Sequence, residues 1–401
     1  MMSRNILSLG FFPVDPIYVG ASGEFSPEAR GPATLGYSLT LPMPSTLFGS
    51  LLKIFYDNSI ISTEGTLSDS YVKLCRNVFK IVPGNLFIRG PYIMFKNIIA
   101  TLVDDNIVKL YDINREKIHE DFIEYVRHCI GRVLGKVARK KKPSLNNVKT
   151  VESIGIGIRR PIKAVYPEGE GLIYDITRID ISSISNYEDN TYIMIDIVYS
   201  EECDIEPVKE LLKNYKIVKL GGEGKIAELE LSIECSLTEV NLKLLERCRD
   251  SDVEYIIMLL LSPAILNTEP QKYVSMRDIR SYLLNERFVD SSILIGKYGK
   301  NPVSIISLGY NTVHNVRRPL RLCVNPGSIL IIKKDPELIN ELERTIIEGI
   351  GDGYLDTDND TQKVKASYIG YGSIMLLPVS DKLEKIYDIV RMLSRIVFEN
   401  I

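Results

Sequence analysis

The sequence predicts an α+β protein built from two related units that meet near residue 236, with long insertions between their regular elements. Three observations point there. At 401 residues the chain is long for a single core, since a domain ordinarily takes roughly 100–200 residues. Hydrophobic residues make up 45% and charged residues 25%, the balance of a globular protein rather than a disordered one. Each half also closes on the same order of helix, glycine loop and strand. In the first half, residues 1–236, these are 205–215, Leu220-Gly221-Gly222-Glu223-Gly224 and 225–233. In the second, residues 237–401, they are 336–347, the glycines of 349–353 and of Gly370-Tyr371-Gly372, and 373–377.

Taken in order, the chain opens with a strand and then a loop rich in Gly and Pro that runs to residue 41. Pro42-Met43-Pro44-Ser45-Thr46 starts a helix that Ser45 or Thr46 can cap, and Leu47, Phe48, Leu51, Leu52 and Phe55 recur on one of its faces. Residues 86–95 read as a strand entering a turn at Gly90-Pro91, and 116–137 as a helix followed by a loop of lysines before Pro143. Residues 149–160 read as a strand whose Gly155 and Gly157 permit close backbone approach. Two more strands occupy 171–181 and 191–199. The most apolar stretch, 255–266, is broken by Ser262 and Pro263 and is too short to cross a bilayer. The N-terminus lacks a charged-then-apolar signal layout, so a cytoplasmic chain without a membrane partner is expected.

Lys+Arg 49 against Asp+Glu 52 gives a net charge of −3, which alone does not mark a nucleic-acid binder. Its distribution says more. Residues 125–151 hold no acid and eight basic residues: Arg127, Arg132, Lys136, Arg139, Lys140, Lys141, Lys142 and Lys149. Residues 291–334 hold no acid and seven: Lys297, Lys300, Arg317, Arg318, Arg321, Lys333 and Lys334. The rest of the chain carries −18. An acidic body with two basic surfaces predicts a polyanion on one face and neutral or basic partners elsewhere. Arg159, Arg160 and Lys163 extend the first run, which has the length to follow a sugar–phosphate backbone, although charge runs are often only solvated surface. Six cysteines, no two closer than thirteen residues, form neither CxxC nor zinc spacing, so free buried thiols are expected. The lack of Trp and the presence of only two Gln fit a thermophile.

Gly221-Gly222-Glu223-Gly224-Lys225 lies between a predicted helix and a strand. Three glycines in four residues let the backbone approach a ligand and aim amides at phosphate or ribose oxygens. No GK[ST] follows, and the helix precedes the glycines, so neither a Walker loop nor a dinucleotide fingerprint applies and no cofactor is implied. A plain tight turn explains the pattern equally well. The helix start at Ser45 and Thr46 offers amides, hydroxyls and a positive dipole end, with Lys53 two turns on; an ordinary N-cap would look the same.

The search for catalytic groups returns little. Of His119, His128 and His314, the first two share a predicted helix nine residues apart with no nucleophile beside them. Asp104-Asp105 and the run Asp352, Asp356, Asp358 and Asp360 fall in polar, turn-rich segments. The run lacks the central Gly and terminal Glu of a calcium loop and reads as a mobile loop. No catalytic residue and no metal site is expected.

Five stretches then combine in one order: Phe12-Pro13-Val14-Asp15-Pro16 with the helix start at 42–51, LFIRGPYIMF at 86–95, SIGIGIRRPIKAVYPEGEGLIY at 153–174, the LGGEG loop at 220–224, and LGYNTVHNVRRPLRLCVNPGSILI at 308–331. Together they resemble the RAMP superfamily of CRISPR proteins, most closely the family of subunit three of the Cmr (type III-B) effector complex. Tyr310 stands where that family usually has Trp, and Asn325 where it has an Ala-like residue. A short apolar-rich start and a diverged C-terminal part depart from it further, and leave open the equivalent subunit of the related Csm (type III-A) complex.

The resemblance implies two ferredoxin-like (RRM-like) units packed together, and a non-catalytic subunit. Such a subunit binds and caps the repeat-derived 5′ handle of the CRISPR RNA (crRNA). It docks the large polymerase-like subunit and backbone RAMP subunits, and it meets target RNA indirectly. Carried over, Ser45, Thr46, Gly221, Gly222, Glu223 and Gly224 would contact the RNA backbone, and the loop around Lys140 would follow it. Lys53, Arg132, Lys136, Arg139, Lys141, Lys142, Arg159, Arg160, Lys225, Arg317 and Arg318 complete the expected RNA-binding surface. Two other readings stand beside it. One is a metal-independent endoribonuclease of the same superfamily that matures precursor crRNA, with His119, His128 or Tyr18 as acid or base. The other is a structural protein whose basic face meets an acidic partner.

Overall fold

The computed structural model describes residues 4–17, 35–36, 41–62, 65–135, 146–156, 158–159, 164–165, 173–185, 189–220, 225–231, 236–269, 274–308, 310–311, 316–317, 320–356 and 363–398. Its first part comprises β1 (Arg4–Pro13), α1 (Pro44–Asp57), α2 (Leu67–Lys73), β2 (Leu86–Phe95), β3 (Ile98–Val103), β4 (Asn106–Asp112), β5 (Lys117–Ile118) and α3 (Glu120–Val133). There follow β6 (Lys149–Ile156), β7 (Ile173–Asp180), β8 (Tyr192–Ser200), α4 (Glu206–Asn214), β9 (Ile217–Lys219) and β10 (Ile226–Glu230). The remainder holds α5 (Leu237–Arg247), β11 (Val253–Leu260), α6 (Met276–Leu283), β12 (Ser292–Ile295), β13 (Val303–Ser307), β14 (Leu320–Val324), β15 (Ile329–Lys333), α7 (Pro336–Glu348), β16 (Ile374–Ser380) and α8 (Glu384–Phe398).

Among the described residues the larger sheet has the order β9-β10-β1-β8-β2-β3-β4-β5. Within it, β10-β1-β8-β2 places the earliest strand beside the latest, with α1 between β1 and β2 in sequence and α4 between β8 and β10. The second sheet, read as β16-β11-β15-β12, has its earliest strand beside its latest too, with α6 following β11 and α7 following β15. The ladders of both four-strand groups are antiparallel. β6 and β7 pair in a separate small sheet, as do β13 and β14. The result is a mixed α/β fold of several antiparallel sheets and helices, in keeping with the expected ferredoxin-like class.

The larger sheet carries a core on each face. Period-two alternation along β1 sends Leu7, Leu9 and Phe11 to one side, where they meet Leu47, Phe48, Leu51, Ile54 and Phe55 of α1. On the other side Tyr92, Met94 and Met194 pack with Phe122, Tyr125 and Val126 of α3. That core runs on without a break through Leu244 of α5 to Ile257, Ile331 and Leu376 of the second sheet. Each such side chain fully buried contributes about 1.5–3 kcal/mol, and this core draws its residues from both sheets.

Four expectations change in detail. Met43, not Ser45 or Thr46, is the N-cap of α1, and no side chain caps it; Pro44 fills the first turn, where a missing N–H costs nothing. Residues 86–95 form the single strand β2 rather than a strand ending in a turn, and Gly90-Pro91 is a bulge within it, two residues opposite the one Ile195 of β8. The glycine loop joins β9 to β10 as the turn of a hairpin instead of linking a helix to a strand. Finally, Asp352 accepts the Asn267 N–H at 2.9 Å and Asp356 accepts the Ser68 N–H at 2.9 Å, so this segment is anchored at both residues. Asp358 and Asp360 lie outside the described residues. Cys75, Cys129, Cys203, Cys248 and Cys323 are free and buried, as expected.

Candidate nucleic-acid interface

Two of the elements read as RNA-contacting meet at one end of the larger sheet. Ser50, one turn beyond Thr46, donates from Oγ to the Lys219 carbonyl at 2.6 Å. Leu220 N–H donates to the Lys225 carbonyl at 2.9 Å, which closes the base of the glycine loop. Gly221, Gly222, Glu223 and Gly224 themselves lie outside the described residues. Their flanks fix where the loop emerges: Val14 N–H donates to the Ile226 carbonyl at 3.3 Å, and Lys225 Nζ lies 3.5 Å from the Asp15 carboxylate. The start of α1 and the mouth of the hairpin are therefore neighbours across the end of β1.

Ser45 accepts a hydrogen bond from Tyr371 OH at 3.1 Å, and Thr46 N–H returns to the Met43 carbonyl at 2.8 Å. Lys53 forms an ion pair with Asp57 in the last turn of α1, and Tyr215 OH donates to the other Asp57 oxygen at 2.5 Å. The Lys53 bond and then the Tyr215 bond hold the Asp57 carboxyl below its ordinary range. Arg132 is not part of this end. It belongs to α3, on the opposite face of the sheet from α1, where Nη1 donates to the Tyr298 carbonyl at 3.3 Å. Arg159 and Arg317 fall in the short strands Ile158–Arg159 and Val316–Arg317. Lys136, Arg139, Lys140, Lys141, Lys142, Arg160 and Arg318 lie outside the described residues.

The histidines do not form an acid–base pair. His119 is the N-cap of α3, its Nδ1 accepting the Asp121 N–H at 3.1 Å; burial holds its pKa down, partly offset by Asp121. His128 is buried edge-on to Tyr298, with ring centroids 6.0 Å apart. Tyr18 and His314 lie outside the described residues. Among the described residues no group of three or more His, Cys, Asp or Glu is placed to hold a metal ion, and no helix is long and apolar enough to cross a membrane.

Two buried charges escaped the sequence reading. Asp196 in β8 is fully buried and accepts five hydrogen bonds: Ser8 Oγ at 2.9 Å and Tyr92 OH at 2.8 Å on Oδ1, with Ser236 Oγ at 2.8 Å and both Thr238 N–H and Oγ1 at 2.9 Å on Oδ2. It thereby ties β1, β2 and β8 to the first turn of α5. Burial pushes its pKa up against the pull of those donors. Arg89 in β2 is 2% exposed and donates from Nη2 to the Ser367 carbonyl, while its Nε and Nη1 have no hydrogen-bond partner. Burial pulls its pKa down to about 9, with Glu348 opposing.

With this geometry in place, comparison with known proteins is informative. The family described as CRISPR-associated protein (Cas_Cmr3) matches residues 197–379. The CRISPR system CMR subunit Cmr3 of Saccharolobus solfataricus is 23% identical over 388 residues, spanning 94% of this chain and 97% of that protein. Among solved structures, a chain of the type III-B Cmr-beta complex bound to cognate target RNA is 18% identical. It covers 92% of this chain and 96% of its own length at a TM-score of 0.48. A chain of the Csm3–Csm4 subcomplex of type III-A is 13% identical, covering 93% and 99% at a TM-score of 0.38. Over residues 197–379 the chain is thus similar to the CRISPR-associated Cmr3 family, and over most of its length it is similar to a Cmr3 subunit of a CRISPR CMR system.

Proposed function

We propose that this chain is a cytoplasmic, non-catalytic RNA-binding subunit of a type III-B Cmr effector complex, built on two ferredoxin-like units divided near residue 236. It binds and caps the 5′ handle of crRNA, docks the large polymerase-like subunit and backbone RAMP subunits, and meets target RNA indirectly. The observation that carries this reading is the meeting of the α1 start with the mouth of the glycine hairpin, held by the Ser50–Lys219 bond of 2.6 Å. Amides and hydroxyls at such a junction suit a phosphate backbone, and the acid-free run at 125–151 supplies the counter-charge. The matching strand orders of the two sheets, each with a helix after its first and third strands, support the two-unit reading.

Sequencing of the RNA that co-purifies with the tagged chain from its host tests the handle. Reads sharing one repeat-derived 5′ end are expected, and RNA of random sequence overturns the capping role. Replacing Arg139, Lys140 and Lys141 by Glu is expected to weaken RNA binding and flatten its dependence on salt, by a slope of about 0.7 for each phosphate no longer neutralised. Unchanged binding across a salt titration would sink the basic-loop assignment. Metal-free cleavage of repeat RNA, lost on His128→Ala, would replace the whole reading by the endoribonuclease one.

A further inference from the structure

None of the residues read from the sequence as RNA-contacting lines the cavity at this end of the larger sheet. Phe12 near the end of β1, Tyr192 at the start of β8 and Met94 near the end of β2 lie on three adjacent strands, Tyr192 directly opposite Met94. Strand alternation puts all three on the face that carries Tyr92 and Met194. The Phe12 and Tyr192 rings pack with centroids 5.9 Å apart, tilted by 56°. Beside them opens a pocket of about 430 Å³ lined by Met94, Phe95 and Tyr192 with the polar residues Lys96, Asn97, Asp189 and Asn190. Asn190 Nδ2 donates to Tyr192 OH at 3.0 Å, so the phenol is satisfied and its ring is left as a surface. Lys96 pairs with Asp189 at 3.0 Å. Lys96 and Asn97 both have positive φ, 47° and 60°, which makes the β2–β3 connection a tight hairpin turn and fixes where their side chains leave the backbone.

This combination is specific in its chemistry. A half-buried ring backed by a second ring and a thioether offers a flat, polarizable face for stacking. Two carboxamides at the rim each carry a donor and an acceptor, the complement of a base edge. The volume falls in the range of small-ligand sites and is too small for a helix of either nucleic acid or protein. The cavity also lies three strands from the glycine hairpin, about 15 Å at the usual strand spacing, which a few nucleotides of extended single strand would cover.

We propose that this cavity takes one unstacked base of a bound single-stranded RNA, stacked on Tyr192 beside Met94, with its edge met by Asn97 and Asn190. The proposal rests on the RNA-binding reading above and adds to it a position at which base identity is sensed. The test titrates the full chain with short single-stranded RNAs that carry 2-aminopurine at one position at a time. One position is expected to be quenched on binding. Tyr192→Leu is expected to abolish that quenching and weaken binding about tenfold, as for loss of a stacked base, while Tyr192→Phe retains both. Asn97→Ala, on an exposed turn, is expected to remove the preference among bases at the same position, and it carries the test should Tyr192→Leu fail to fold. Unaltered quenching in Tyr192→Leu, or unaltered base preference in Asn97→Ala, overturns the pocket and leaves RNA binding standing. A wild-type chain that binds none of these RNAs at low salt overturns RNA binding and the pocket together.

Discussion

Asp196 and Arg89 face each other in the register of β8 and β2, yet the fold treats the two charges in opposite ways. Asp196 takes five donors from β1, β2 and the first turn of α5. Arg89 turns toward Ser367 and the end of α7 and makes one hydrogen bond. Its charge is instead accommodated by Glu348 and by the negative end of the α7 dipole. The approach is close. A Cβ at Gly349, where φ is +80°, would lie 2.0 Å from Arg89 Nη1, so this position needs glycine for both backbone and space. The contrast separates two uses of a buried charge. A fully satisfied one fixes how elements join, whereas a partly satisfied one is tolerated without adding much to stability.

The largest effect should therefore come from Asp196→Ala. It strips partners from Ser8, Tyr92, Ser236 and Thr238 at once, and a loss of about 3–5 kcal/mol is expected in urea unfolding. Asp196→Asn should cost about 1–2 kcal/mol, because the hydroxyls of Ser8 and Tyr92 can rotate to accept from the new amide. The two variants also differ in pH dependence. Since burial raises the folded pKa of Asp196 above the unfolded value of 3.8, the folded state holds the proton more tightly. Below 3.8 that contribution to stability is fully present, and it is lost as pH rises through the folded pKa. Measured against wild type, the Asn variant should gain relative stability over that rise; a constant difference would mean that the donors, not burial, govern the site.

The sequence exposed these features unevenly, for reasons visible in the residues. The apolar face of α1 and the strands at 191–199 and 373–377 rest on local periodicity, and the structure has them within a few residues. The glycine loop and the Ser45-Thr46 helix start were legible as motifs. Their meeting was not, because it depends on how α1 packs against β9. Asp196 looks like one acid in the strand YIMIDIVYS, and its donors come from residues 8, 92, 236 and 238, which no local pattern links to it. Arg89 did leave a trace, a lone cation in the buried strand LFIRGPYIMF, which sequence reasoning could have marked as a buried charge in need of a partner. Tyr192 and Phe12 leave none, since only the ladder register makes them neighbours.

Arg89→Met probes the other side of the contrast. The variant leaves the Ser367 carbonyl without its donor but removes a desolvated cation, and Glu348 keeps Arg344 as its partner at 3.0 Å. Unfolding free energy should move by no more than about 1 kcal/mol in either direction. A loss comparable to that of Asp196→Ala would show that the α7 terminus binds this cation far more strongly than its single hydrogen bond suggests.

The smallest expected effect sharpens the comparison by moving it to the surface. Lys297 pairs with Asp104 between the β3–β4 turn and the turn after β12, so it too links the two sheets, but the side chains are 31% and 33% exposed. Water screens both charges, and ordering a long lysine side chain offsets part of the attraction, so Lys297→Ala should cost about 0.5 kcal/mol. Added salt should erase that difference, since exposed pairs are screened within about 10 Å at 0.1 M, while the Asp196→Ala deficit persists because water and ions do not reach it. A salt-insensitive loss of several kcal/mol at Lys297 would mean that the junction is held as much at its rim as at its buried centre, and the distinction drawn between satisfied and unsatisfied buried charge would then explain less of its stability.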